Sequence, residues 1–175
     1  MPKRIIRVAV IGPESSGKSE LCSNLAMHYI TNWVPEFARI YLKDLQQPYT
    51  ADDILNIYKT QFEQEKQLIH AAEKFIFIDT EFIIAKVWCE NAFQLSPDYF
   101  HEMIVNYPYD LYLLTAPDLP WVFDPLRENP GKGEFFFDWY KRLLEEYKLK
   151  YAIVSGKDEK RIACAIKIID EAFQK

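Results

Sequence analysis

The segment with the plainest chemistry is GPESSGKS, Gly12 to Ser19. It fits GxxxxGK[ST] without a gap. An apolar run ends at Gly12 and a helix-like pattern opens after Gly17, which is the context the motif requires. Gly12, Pro13, Glu14, Ser15, Ser16, Gly17, Lys18 and Ser19 therefore read as an ATP-binding loop. Its inward-turned backbone N–H groups cup phosphate oxygens, and the helix start adds partial positive charge. Lys18 reaches the β- and γ-phosphates, and the Ser19 hydroxyl ligates Mg2+. Glu14 does not contradict this, because the loop binds through its backbone. Its side chain is free to face water, a magnesium-bound water or a basic lid residue.

Other residues suit a phosphoryl acceptor. Glu36 follows WVP, with Arg39 one helical turn on. A carboxylate there either takes the proton of an attacking hydroxyl or caps a helix and pairs with Arg39. Asp79 ends the apolar run FIFID and either holds Mg2+ or caps the next helix. The stretch DPLRENPGKG carries Arg127 and Lys132, which either swing onto the transferring phosphate as a lid or stay solvated. Trp121 lies in a polar loop beside Asp118 and Asp124. Its face suits a flat cationic ring, and the carboxylates suit ribose hydroxyls. Trp33, Trp88 and Trp139 read as core, and His28, His70 and His101 show no metal-ligand spacing.

Three classes of phosphate-loop protein compete. A GTPase needs DxxG and NKxD, but the first place reads DTEF and NKxD is absent. A motor or AAA-type ATPase is expected to be longer, with a second subdomain. A small-molecule kinase needs an acceptor pocket, a carboxylate near the acceptor hydroxyl and a basic lid that excludes water. Candidates for all three are present.

Positioning these residues takes alternating strands and helices. Ile5–Ile11, Phe75–Asp79, Asp110–Thr115 and KYAIVSG read as buried strands. Leu21, Leu25 and Tyr29 mark a helix, as do DDILNIYKTQFEQEKQLIHAAEK behind a Thr50 cap, EFIIAKVWCENAF and EFFFDWYKRLLEEYK. The last helix carries Ile162, Ile166, Ile169 and Phe173 on one stripe. The expected fold is α/β, a parallel sheet with helices on both faces, of P-loop nucleoside/nucleotide-kinase type. One domain over 1–175 is expected, with a lid over about 117–134. In such sheets ligands gather at the carboxyl ends of the strands, where Gly12 to Ser19, Glu36, Asp79, Thr115 and Ser155 all fall.

Bulk composition limits the partners. A chain of 175 residues with 49% hydrophobic side chains can build a core. Its net charge of −5 gives no reason to expect nucleic acid. Cys22, Cys89 and Cys164 form no CxxC pair and read as reduced thiols of a cytoplasmic protein. The basic-then-apolar start lacks a cleavage site, and no apolar run reaches the length of a membrane helix.

GPESSGKS, WVPEFARIYL, FIDTEF and YDLYLLTAPDLPWVFDPLRENP together resemble the ribosylnicotinamide kinase domain of the bacterial NadR type, over nearly the whole chain. The resemblance implies ATP- and Mg2+-dependent phosphorylation of the 5′-hydroxyl of nicotinamide riboside to nicotinamide mononucleotide. It implies phosphate and metal roles for Lys18 and Ser19, and acceptor and metal roles for Glu36 and Asp79. Trp121 and Asp124 fall near the riboside, Arg39 beside them, and Arg127 in the lid. Ser155 and Gly156 of VSG border adenine. Two departures stand out. No HxGH-type signature is present and nothing precedes the phosphate-loop strand, so this chain alone is not expected to make NAD or repress genes. The lid reads RENPGKG, with Lys132 where a second arginine would give a bidentate fork. The alternatives are a kinase for another nucleoside, nucleotide or small metabolite, and an ATP-binding regulatory module.

Overall fold

A computed structural model describes residues 4–173; Met1, Pro2, Lys3, Gln174 and Lys175 lie outside it. Five strands, β1 (Ile6–Ile11), β2 (Trp33–Val34), β3 (Phe75–Asp79), β4 (Leu111–Thr115) and β5 (Tyr151–Val154), form one sheet in the order β2-β3-β1-β4-β5. Every neighbouring pair is parallel. The helices are α1 (Lys18–His28), α2 (Ala38–Asp44), α3 (Ala51–Leu68), α4 (Phe82–Phe93), α5 (Asp98–Asn106), α6 (Gly133–Glu146) and α7 (Asp158–Phe173).

The continuous apolar runs of the central strands follow from burial on both faces. Ala9 and Ile11 of β1, Ile76 and Ile78 of β3, and Tyr112 and Leu114 of β4 enter the core beneath α3, α4, α5 and α6. The alternate residues, Val8, Val10, Phe75, Phe77, Leu111 and Leu113, pack on α1 and α7. The parallel α/β fold expected from the sequence is therefore present. Thr50 caps α3 in a reciprocal capping box with Asp53.

Pro35 ends β2 after two residues, because it brings no N–H to the ladder. One element differs from expectation. Helix α5 was not foreseen; its segment SPDYFHEMIVNYP is short and flanked by prolines, and only Phe100, Met103 and Ile104 are buried. None of the helices among the described residues is long and apolar enough to cross a membrane.

The sheet order puts the reversal point at β1, whose neighbours β3 and β4 carry the chain to opposite sides. Val10 pairs with Asp79 and Ile11 with Leu114, so the carboxyl ends of the three strands come level. That is where an open α/β sheet forms its ligand crevice. Gly12 begins the loop at this point because no side chain fits. A Cβ there would lie 2.0 Å from Thr115 Oγ1, and its φ is +151°.

Candidate active site

The loop between β1 and α1 is braced from inside. Ser16 Oγ donates to Pro13 O at 2.7 Å and shares a 2.6 Å hydrogen bond with Thr115 Oγ1. Lys18 Nζ donates to the same Pro13 carbonyl at 2.8 Å. Burial lowers the Lys18 pKa, while Glu36, Asp79 and Glu14 pull it back toward the charged form. Glu14 answers to the backbone of the β4–α6 segment. Its Oε1 accepts from Glu128 N at 2.9 Å and its Oε2 from Asn129 N at 3.1 Å. Ser15 Oγ accepts from Val122 N at 3.0 Å. None of the three orientations expected for Glu14 described this; it anchors the segment through main-chain N–H groups.

Ser19 Oγ donates to Asp79 Oδ2. Asp79 is 1% exposed, and its Oδ1 has no hydrogen-bond partner. Burial pushes the Asp79 carboxyl up to about 6, with Glu36 adding to the rise. Asp79 does not cap α4. The cap is Glu81, whose carboxylate accepts from Ile83 N at 2.8 Å. Glu81 is itself fully enclosed, and burial pushes it up to about 8.

Glu36 does not cap α2; Phe37 stands at that position without a side-chain bond. Arg39 Nε lies 3.9 Å from Glu36, while its NH1 donates to Asp124 at 2.8 Å. Arg39 therefore joins the acceptor side to the β4–α6 segment. Tyr49 adds a second tie, donating to Glu128 Oε2 at 2.7 Å.

A residue that the sequence reading passed over sets this geometry. Gln61, 3% exposed, accepts from Phe37 N at 3.0 Å and donates to Asp79 O at 3.0 Å and Thr80 O at 2.9 Å. One amide thus registers the ends of β2 and β3, and with them Glu36 and Asp79. It also holds Thr80, a β-branched residue at φ 65°, in a conformation it would otherwise leave. The available signal was a polar side chain on the buried stripe Ile54, Ile57, Tyr58, Gln61, Glu65. Gln61→Leu strands three buried backbone groups, each at about 1–3 kcal/mol. The expected outcome is a loss of about 3 kcal/mol or more in urea unfolding, together with lower turnover. A variant within about 0.5 kcal/mol of wild type would remove Gln61 from this role.

A cleft of about 580 Å³ runs from the phosphate loop past Glu36. Gly12, Lys18, Ser19, Glu36 and Arg39 line one end; Tyr49, Tyr58, Trp88, Asn91, Phe136 and Tyr140 line the other. Pro125 to Asn129, including Arg127, form one side. The size suits a small-molecule site. Tyr58 and Thr80 also line this space, with their hydroxyls buried. Arg127 NH1 donates to Val122 O at 2.6 Å.

Several candidates fall elsewhere. Trp121 is outside the lining and points its indole N–H at Glu14, 3.3 Å away. The glutamate turns it toward the phosphate loop. The aromatic corner is instead Tyr49, from the loop before α3, and Trp88, on α4's Ile84–Trp88–Asn91 face, with centroids 5.2 Å apart. Asp124 is outside the lining because Arg39 and Leu126 N occupy its oxygens. Lys132 precedes α6, exposed and away from the cleft. Pro13 and Asp79 sit behind the lining. Ser155 and Gly156 lie beyond the phosphate loop, where Gly156 N donates to Asp118 at 2.6 Å.

A family model described as an AAA domain matches residues 7–161. The match runs from β1 into α7 and takes in all five strands. The trifunctional NAD biosynthesis/regulator protein NadR of Escherichia coli (strain K12) is 27% identical over 173 residues, covering 94% of this chain and 42% of that protein. The Salmonella typhimurium (strain LT2) protein of the same name is 27% identical, covering 86% and 38%. The chain thus spans less than half the length of these curated relatives. A crystal structure of NadR protein in complex with NR superposes with a TM-score of 0.76 at 21% identity, covering 98% of this chain and 50% of that one. Deoxyadenosine kinase from M. mycoides superposes at 0.62 with 13% identity, covering 95% and 100%.

Proposed function

The chain belongs to the AAA domain family, and within it we propose a small-molecule kinase that transfers the γ-phosphoryl group of ATP to the 5′-hydroxyl of nicotinamide riboside. The product is nicotinamide mononucleotide, and the setting is NAD salvage in the cytoplasm. One observation carries the reading: a single cleft joins the phosphate loop, Glu36 and an aromatic, polar-floored end large enough for a nucleoside. The NadR relatives and the NadR complex with NR support that choice of acceptor.

The donor phosphates lie in the loop, with Lys18 against the β- and γ-oxygens. Glu36 orients the 5′-hydroxyl and takes its proton as the oxygen attacks phosphorus. The ribose hydroxyls lie toward Tyr58 and Thr80, two hydroxyl side chains of the cleft lining. The cationic pyridinium ring rests against Tyr49 and Trp88, taking the place first expected of Trp121. Residues 117–134 act as the lid, tied down by Glu14, Ser15, Arg39 and Tyr49. This arrangement excludes water and leaves Arg127 beside the transferring group.

Mg2+ fits the donor set. Asp79 and Ser19 supply hard oxygens, and Asp79 Oδ1 is buried and unpartnered. When bound, the ion neutralises charge on the β- and γ-phosphates.

The test is a panel of nucleosides with Mg-ATP, reading ADP release and phosphorylated product. Nicotinamide riboside is expected to turn over far faster than adenosine, deoxyadenosine, thymidine or uridine. Preference for one of the others would reassign the acceptor. Tight ATP binding without turnover of any of them would overturn the kinase reading.

A further inference from the structure

Arg161, on α7, is 4% exposed. Its NH1 donates to Asp118 Oδ1 at 2.6 Å and Gly156 O at 2.7 Å. Its NH2 donates to Ser16 O at 2.8 Å and Ala116 O at 2.8 Å. Each terminal nitrogen carries two N–H bonds, so all four are used, on three different stretches of chain. Only Nε lacks a partner. It lies over Gly17, where a Cβ would sit 3.9 Å away. A buried arginine that gives up one donor while filling the other four is committed to a particular arrangement of backbone.

The arrangement it fixes is that of the phosphate loop. No peptide among the described residues is cis. In a trans peptide the C=O and N–H point in opposite directions. Holding the Ser16 carbonyl outward therefore turns the Gly17 N–H inward, toward the cup that takes phosphate. The same guanidinium fixes the turn after β5 through Gly156 O. Asp118 closes the ring by accepting from both Arg161 and Gly156 N. Ala116 O brings in the end of β4, whose Thr115 packs against Gly12.

We propose that Arg161 is a positioning residue for the phosphate donor: it aims the Gly17 amide into the loop and couples that loop to the Ser155–Gly156 turn. It touches neither substrate. Donor affinity depends on it, and acceptor affinity does not. The inference rests on the kinase reading for its acceptor arm only, because donor binding can be measured alone.

Arg161→Lys keeps the charge but has three donors on one nitrogen and no planar fork. Kd for ADP, measured by calorimetry without acceptor, is expected to rise at least tenfold. KM for ATP should rise in parallel and KM for nicotinamide riboside stay within twofold. A purely structural role would lower Tm and the active fraction while leaving Kd for ADP unchanged in the folded protein. Asp118→Asn is the milder second variant. It leaves the three carbonyl acceptors in place and should weaken ADP in the same direction by a smaller factor. An ADP Kd within twofold of wild type in both folded variants would overturn the proposal. If no nucleoside is phosphorylated yet ADP binding weakens as stated, the kinase reading fails and the positioning role stands.

Discussion

Lys18→Ala lowers kcat about a thousandfold while the protein still folds. The size follows from where the ammonium sits. It is enclosed between the loop and three carboxylates, Glu36, Asp79 and Glu14. At such a half-buried position a charge aimed at a developing phosphate anion is worth more than in open water. A thousandfold loss corresponds to about 4 kcal/mol of transition-state stabilisation. The fold survives because the Lys18 side-chain bond is to Pro13 O, a carbonyl that Ser16 Oγ also holds. Burial of the ammonium is itself unfavourable, so truncation removes a cost along with the bond. Thermal unfolding and far-UV dichroism are expected to match wild type closely. Single-turnover rates at saturating ATP separate lost chemistry from lost binding. A folded variant with kcat within tenfold of wild type would contradict the assigned contact with the γ-phosphate.

The fold was legible because its signals are local. Apolar runs such as FIFID and LYLLT stood out as fully buried strands, and GPESSGKS fixed the turn between β1 and α1. The groups that hold the cleft in shape were far less visible. Gln61 and Arg161 each bond three backbone groups, most of them distant, and little near them in sequence announces those partners. Both nonetheless left a trace, as polar residues on helix faces that are otherwise buried. Glu14 drew attention as a charge inside a phosphate loop, but its partners, two main-chain N–H groups and the side chains of Trp121 and Asn129, are more than 100 positions away. Trp121 illustrates the opposite failure. Its polar surroundings suggested a ligand face, whereas Trp88, lost in an apolar helix, is the tryptophan that lines the cleft.

Glu36→Gln reduces kcat about 100-fold and leaves KM for ATP near its wild-type value. The substitution keeps the side chain's size, so Arg39, 3.9 Å away, keeps its stronger bond to Asp124 and α2 does not move. What disappears is a carboxylate able to accept a proton. Position is secured independently, since Gln61 holds Phe37 N next door. The effect should therefore be chemical and confined to the acceptor half. A rise in KM for nicotinamide riboside with kcat unchanged would mean that Glu36 binds the hydroxyl equally in ground and transition states. Asp79 is the rival base, and its environment argues against it. Its Oδ2 accepts from Ser19, and it stands behind the cleft wall. Glu36 reaches the cleft itself, with a quarter of its side chain still exposed at 26%. A rate within threefold of wild type in Glu36→Gln would remove the carboxylate from the proton transfer.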